Sequence, residues 1–234
     1  MKIVFSWDDG SIQDEKLMNL HLDYGIPGMF FVPTYNCEGR SVIKEEIIRN
    51  ANKEFITFGG HTSSHRYLTL IPPSDVESEI RDNKEYLEQI LGYELMDFCL
   101  PGGKYNPQIL EKCFKYFKTV RTTDTMCFQN ESNLIKPTFH FYPRTYYSRI
   151  GNCMKNGAYF ELTKIIFHPK EPVSNLIERF LSIENKKDST ILIWGHSWEI
   201  EKLDLWDSLE DLFGIISNQY YLDCKPYSSL RHYE

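Results

Sequence analysis

The chain has 234 residues, 41% apolar and 25% charged, a globular usage that excludes a disordered or fibrous protein and suits a single domain over residues 1–234. A formal net charge of -7 leaves no broad basic surface to neutralise phosphates, so no nucleic-acid partner is expected and polyanions are poor substrate candidates. No run reaches the roughly 18 apolar residues of a transmembrane segment, and the six cysteines (Cys37, Cys99, Cys113, Cys127, Cys153, Cys224) lack C-x-x-C pairing, which suits buried reduced thiols rather than a disulfide framework or a zinc ribbon.

In chain order, short apolar runs alternate with helical stretches, a β/α pattern without internal repeats. The first strand is predicted over Lys2 to Trp7; its apolar stretch is far too short for the core of a signal peptide, so a cytoplasmic location is expected. A helix follows from Gln13 to Asp23, a strand over Met29 to Val32, a helix from Lys44 to Ala51 and a strand over Glu54 to Phe58. The helix predicted over Pro73 to Leu91 carries the clearest signals. Ser74 with Glu77 reads as a capping box, Val76, Ile80, Asn83, Leu87, Ile90 and Leu91 follow one stripe, and Gly92 ends it. Glu79, Asp82, Glu85 and Glu88 on its other side read as a solvated face. Next come a strand over Met96 to Leu100, a helix from Pro107 to Phe117 and a strand over Thr119 to Thr122. Met126 to Lys136 is polar and aperiodic and reads as a long loop. Strands over Phe139 to Tyr142, Ile165 to Phe167 and Ile191 to Trp194, and helices over Val173 to Ile183 and Trp206 to Ser217, complete the chain.

The polar residues least expected beside apolar runs all follow strands: Asp8-Asp9 the first, His61 the third after Gly59-Gly60, Pro101-Gly102-Gly103 the fourth and His196 the last. In a closed parallel barrel those ends share one rim, where active sites are built. Singly, each signal has an ordinary explanation. Asp8-Asp9-Gly10 suits a plain turn, and His196 suits a satisfied rim histidine. Together they suggest a site. His61 and His65, four apart, fall on one side of a helical turn, and two imidazoles with one carboxylate leave a coordination position open, as catalytic divalent metals require. An ion there acts as a Lewis acid on an amide carbonyl and on water. Asp8 and His196 are then the available base and acid, and the amides of Gly102 and Gly103 are candidate oxyanion donors.

These residues resemble the polysaccharide deacetylases, the NodB-homology group also called carbohydrate esterase family four. Phe5-Ser6-Trp7-Asp8-Asp9-Gly10 is similar to the family's T-F-D-D-G motif, with Asp8 at the base position and Asp9 at the metal position. Gly60 to His65, followed by Arg66-Tyr67-Leu68-Thr69, is similar to its H-S/T-x-x-H motif, which supplies two histidine ligands. Phe98 to Asn106 resembles the R-x-P-x-G segment, with Pro101, Gly102 and Gly103 on the groove wall, and Ile191 to His196 resembles the last motif, whose histidine is the general acid. The resemblance spans nearly the whole chain. It implies a distorted (β/α) barrel of seven or eight strands, one divalent ion such as zinc, and removal of the N-acetyl group from an N-acetylated sugar or polysaccharide.

Two departures stand out. Cys99 occupies the place of the arginine that pairs with the catalytic base in well-known members, and a thiol supplies no positive charge. Arg121 is the proposed replacement, because Arg121-Thr122-Thr123 resembles a segment of relatives that lack the earlier arginine; Arg144 and Lys104 are the competing cations, and snorkelling from the rim is the plain alternative for Arg121. Trp194 stands where a leucine commonly lines the acetyl pocket, and packing in the core is its alternative. Tyr35, Tyr67, Tyr105, Tyr146, Tyr147 and Trp198 fall near predicted rim loops, which suits stacking on sugar rings and equally suits a core. A cytosolic enzyme would meet a soluble, lipid-linked or nucleotide sugar more readily than a wall polymer. The competing readings are an amidase of the same fold acting on a non-sugar amide, a ureide or a formamido sugar, and a non-catalytic carbohydrate-binding relative. His21, His140, His168 and His232 receive no role.

Overall fold

The computed structural model describes residues 1–129, 132–143, 146–158, 171–182 and 189–232. Strand β1 (Lys2–Trp7) is buried at every position after Lys2, because a parallel strand is covered on both faces. It pairs in parallel with β2 (Gly28–Val32) on one side and, through six residue pairs, with the last strand, β8 (Thr190–Gly195), on the other. From β2 the sheet continues through β3 (Ile56–Gly60), β4 (Asp97–Cys99), β5 (Thr119–Arg121) and β6 (Leu134–Ile135), all parallel. Strand β7 (Phe139–His140) pairs with the far side of β8, giving the order β6-β5-β4-β3-β2-β1-β8-β7.

The two edge strands are consecutive pieces of one short segment. Residues 134–140 hydrogen-bond to β5 through their first half and to β8 through their second, with Thr122 N–H donating to Ile135 O and Thr138 N–H to Leu192 O. This segment closes the curled sheet covalently into a distorted (β/α) barrel. The stretch expected to be a loop from Met126 to Lys136 therefore contains a strand; two residues are too short to display an alternating pattern.

The described α-helices are α1 (Asp14–Asp23), α2 (Glu45–Asn50), α3 (Val76–Leu91), α4 (Pro107–Tyr116), α5 (Tyr146–Lys155), α6 (Val173–Leu181), α7 (Ser197–Lys202) and α8 (Trp206–Gln219). Helices α5 and α7 are not predicted from the sequence, and the strand expected over Ile165 to Phe167 lies outside the described residues. The apolar stripe of α3 is buried as its spacing predicts, and Gly92 caps it with φ of 71°. Its expected capping box is not formed. Asp75 is the N-cap without a side-chain bond, Ser74 Oγ donates to Asp75 Oδ1, and Glu77 instead accepts from Lys115 Nζ at 2.5 Å and Tyr116 OH at 2.7 Å.

Alternate strand residues separate two apolar regions. Ile3, Phe5, Phe30, Phe58, Val120 and Ile193 pack under the helices, whereas Val4, Met29, Phe31, Cys99, Ile135 and Leu192 fill the barrel interior with Tyr227 and Leu230. Those last two come from the C-terminal segment, which is tied to the start of β1 by Lys225 N–H donating to Ile3 O, so the barrel is plugged at the ends of the strands opposite the site. Cys99, Cys113 and Cys153 are buried, but Cys37 is exposed, contrary to the expectation for all six thiols; none is in a disulfide. No helix of the described residues is long and apolar enough to cross a membrane.

Candidate active site

Because the strands run in parallel, their C-terminal ends share one rim, and the chain places its unusual polar residues there. Asp8 continues β1, with its N–H donating to Gly195 O, and Asp9 turns away at φ of 76°. Thr62 and His65 also sit in the left-handed region, at 65° and 60°. Non-glycine residues there cost about 1–3 kcal/mol each, and three of the five among the described residues belong to these two segments, so the strain is concentrated at the rim. Gly59 allows the His loop to begin there: a Cβ would lie 2.5 Å from the Phe31 ring and 2.8 Å from Asp97 O.

Asp9, His61 and His65 form a tight buried group. Asp9 Oδ1 lies 2.8 Å from His65 Nε2 and 3.4 Å from His61 Nε2. Burial alone would raise the Asp9 pKa, but the two imidazoles packed against it and the nearby His196 hold it well below the usual carboxylate range. His61 Nδ1 is 2.8 Å from Cys99 O; as donor to that carbonyl it leaves Nε2 with a free lone pair. One carboxylate oxygen, two imidazole Nε2 atoms and strained ligand backbones fit a divalent ion. Two further groups have suitable donor types. In the first, Asp8, His61 and Cys99, the Arg121 guanidinium already bonds both Asp8 and Cys99 Sγ. In the second, Glu199 Oε2 already bridges His140 Nε2 at 3.1 Å and His196 Nδ1 at 2.6 Å.

Asp8 faces the barrel interior. Its Oδ1 is paired with Arg121, whose side chain is 0% exposed, and its Oδ2 lies 3.4 Å from Cys99 Sγ. Cys99 Sγ is 3.0 Å from Arg121 Nη2, and burial pushes its thiol pKa well up despite that cation, so the neutral sulfur adds no charge. Arg121 is thus paired with Asp8 in the barrel interior and does not snorkel to the rim. Lys104 is not hydrogen-bonded to Asp8, and Arg144 lies outside the described residues.

His196 stands across the rim, with Nε2 3.8 Å from Asp9 Oδ1. Burial works against its imidazolium, but the Glu199 hydrogen bond and the Asp9 and Asp8 charges outweigh that and raise its pKa. Burial raises and the two imidazoles lower the Glu199 pKa, leaving it at about 2. Trp194, 3% exposed, stacks on His140 with ring centres 3.9 Å apart and lies 4.9 Å from the Arg121 guanidinium. That burial suits a wedge beneath the site better than an open pocket wall. Pro101 begins a tight turn in which Gly102 has φ of 62° and Gly103 N–H donates to Leu100 O at 2.8 Å. The Gly103 amide is therefore committed, which corrects its expected oxyanion role and leaves Gly102 as the candidate donor. A Cβ on Gly102 would lie 2.7 Å from the Tyr67 ring, so that ring covers the turn.

Several supporting contacts escape the sequence reading. Glu79, read as part of a solvated face, accepts from Ser64 N–H at 2.9 Å and Ser64 Oγ at 2.5 Å, anchoring the His loop to α3. Asn83 on the same helix accepts from His61 N–H at 2.8 Å and donates to Val32 O at 3.1 Å, joining the loop to β2. Trp198 Nε1 donates to Asp9 Oδ2 at 2.9 Å, and Ser197 Oγ donates to the buried Asp14 at 2.5 Å, fixing α7 and with it His196. Only Glu199 left a usable signal, its i,i+3 spacing from His196.

Two adjacent carboxylates, paired imidazoles and His196 thus share one rim of a (β/α) barrel. The sequence model of the polysaccharide deacetylase family matches residues 1–116, which hold the Asp8-Asp9 turn, the His loop and the Pro101–Gly103 turn, and over that stretch the chain is similar to the family. Solved structures share the fold. The Streptococcus pyogenes deacetylase PplD, in complex with acetate, is 20% identical over 58% of this chain and 62% of its own, with a TM-score of 0.53; this chain thus spans less than two thirds of it. The Bc1960 peptidoglycan N-acetylglucosamine deacetylase is 13% identical over 98% and 87%, at 0.57. A family 4 acetyl xylan esterase from Clostridium thermocellum, in complex with a cobalt ion, is 12% identical over 94% and 85%, at 0.55. A sequence search among curated proteins finds no match.

Proposed function

We propose that the protein is a metal-dependent hydrolase that removes the acetyl group from an N-acetylated sugar. The observation that carries this reading is the convergence of Asp9, His61 and His65 beside a guanidinium-paired Asp8 and a carboxylate-held His196. Asp9, His61 and His65 hold the ion, with zinc suited to this oxygen and nitrogen donor set. When bound, the ion polarises the amide carbonyl and activates water. Asp8 is the base: Arg121 pairs with its Oδ1 and orients it, and it accepts a proton as water adds to the carbonyl. His196, held at Nδ1 by Glu199, donates to the leaving nitrogen, which could not depart as an anion. The Gly102 N–H stabilises the oxyanion. Trp194 acts by bracing Arg121 and His140, and Tyr67, 39% exposed beside Gly102, offers a face to a sugar ring.

The relatives in complex with acetate and with cobalt support the acyl group and the ion in this reading. The test is acetate release from N-acetylglucosamine oligomers with and without a chelator. Acetate that forms and ceases on metal removal is expected. Hydrolysis confined to other amides would favour the amidase reading, and metal binding without any hydrolysis the carbohydrate-binding one.

A further inference from the structure

The two imidazoles of the cluster are not held alike. His61 has its Nδ1 on Cys99 O, whereas His65 Nδ1, in a side chain 6% exposed, has no hydrogen-bond partner. A metal-ligating imidazole almost always gives its second N–H to an acceptor, which fixes the tautomer and ring plane and raises the basicity of the ligating nitrogen. The carboxylate facing His65 is Glu38, with Oε1 3.9 Å from Nδ1.

The position of Glu38 is built. Thr34 N–H donates to Thr62 O at 3.3 Å, Tyr35 N–H to Ser63 O at 2.9 Å and Cys37 N–H to Ser64 O at 3.1 Å, so the chain before Glu38 runs rung by rung along the loop that carries both imidazoles. Asn36 Oδ1 accepts from Glu38 N–H at 2.8 Å and fixes the turn. The other carboxylate oxygen of Glu38 is paired with Arg40. Arg40 stacks over Trp198 at 4.5 Å and lies 3.5 Å from Asp9 Oδ2, while Asp9 Oδ1 faces His65 Nε2. Glu38, Arg40, Asp9 and His65 close a ring that contains two of the three ligand candidates. The gap at Nδ1 is longer than a hydrogen bond, and Glu38, 45% exposed, has solvent room in which its side chain can turn towards the imidazole.

We propose that Glu38 is a positioning residue for the metal centre, accepting the His65 Nδ1–H and, through Arg40, orienting the Asp9 carboxylate. This rests on the reading that Asp9, His61 and His65 hold a divalent ion. The experiment measures zinc affinity of the full chain by competition with a chromophoric chelator for wild type, Glu38→Ala, Glu38→Gln and His65→Ala, with urea unfolding of each zinc-free protein. Glu38→Ala should weaken zinc binding by about 10- to 100-fold. Glu38→Gln, which keeps an acceptor oxygen, should weaken it less, and the unfolding midpoints of both should match wild type. A shifted midpoint with unchanged affinity would indicate a merely structural role and overturn the inference. Wild-type affinity in Glu38→Ala, with zinc lost in His65→Ala, would also overturn it while leaving the metal site standing. A His65→Ala variant that binds zinc as wild type does would remove both.

Discussion

Two adjacent carboxylates at the end of β1 enter opposite surroundings. Asp9 turns to the outer rim, where its neighbours are two imidazoles, an indole N–H and the half-buried Arg40. Asp8 points into the barrel, against the fully buried Arg121 and a neutral thiol. The outer side gathers lone pairs that a cation can share; the inner side holds one negative charge against one positive charge away from water. A left-handed backbone at Asp9 separates the two roles across a single peptide unit.

The largest effect should come from exchanging charge at one carboxylate alone. Asp8→Asn should cut turnover by about 10²- to 10⁴-fold while zinc affinity stays near wild type, and His65→Ala should lose zinc. If Asp8→Asn abolished zinc binding and Asp9→Asn did not, the division of roles would be reversed. The inner pair can be tested by stability. Arg121→Met should destabilise the fold by about 3–5 kcal/mol, because it leaves Asp8 buried and unpaired, and adding Asp8→Asn should recover part of that loss. Equal losses in the single and double variants, measured by urea unfolding, would mean that packing of Arg121 and not its charge dominates.

The outer side is the more legible because its polar residues come in short motifs: Asp8-Asp9-Gly10 and His61 to His65 each lie in one short stretch of chain, after apolar runs that end on one rim. Arg121 was reachable only through resemblance, since nothing local to β5 shows that its side chain crosses to β1. Glu79 and Asn83 lie on a helix whose stripe was read correctly, yet periodicity tells which residues turn inward and not which loop they meet. The strand at Leu134–Ile135 and helix α7 were too short for any period to register.

A smaller effect separates the site from its scaffold. His21 accepts from Trp7 Nε1 at 2.7 Å, and its Nδ1 lies 2.8 Å from Ile26 O, so both ring nitrogens are engaged in the neutral form. Burial lowers its pKa from 6.5 to about 4, outweighing the Ile26 bond. The unfolded chain then takes up a proton between these values while the folded one refuses it, so this contribution is complete above pH 6.5 and is lost as pH falls towards 4. Between about pH 7.5 and pH 5 the loss should be about 2 kcal/mol, and His21→Gln should flatten that share of the urea-unfolding profile. Smallest of all, Cys99→Ala should cost about 1 kcal/mol and leave turnover on the wild-type scale, since the cation at Asp8 comes from Arg121. A collapse of activity in that variant would assign the thiol a part it lacks here.

The most direct measurement is a zinc soak of crystals with the ion located by anomalous scattering. One peak bonded by Asp9, by His61 Nε2 and by His65 Nε2 is the predicted result. A peak among His140, His196 and Glu199, or zinc bound nowhere on this rim, would contradict it.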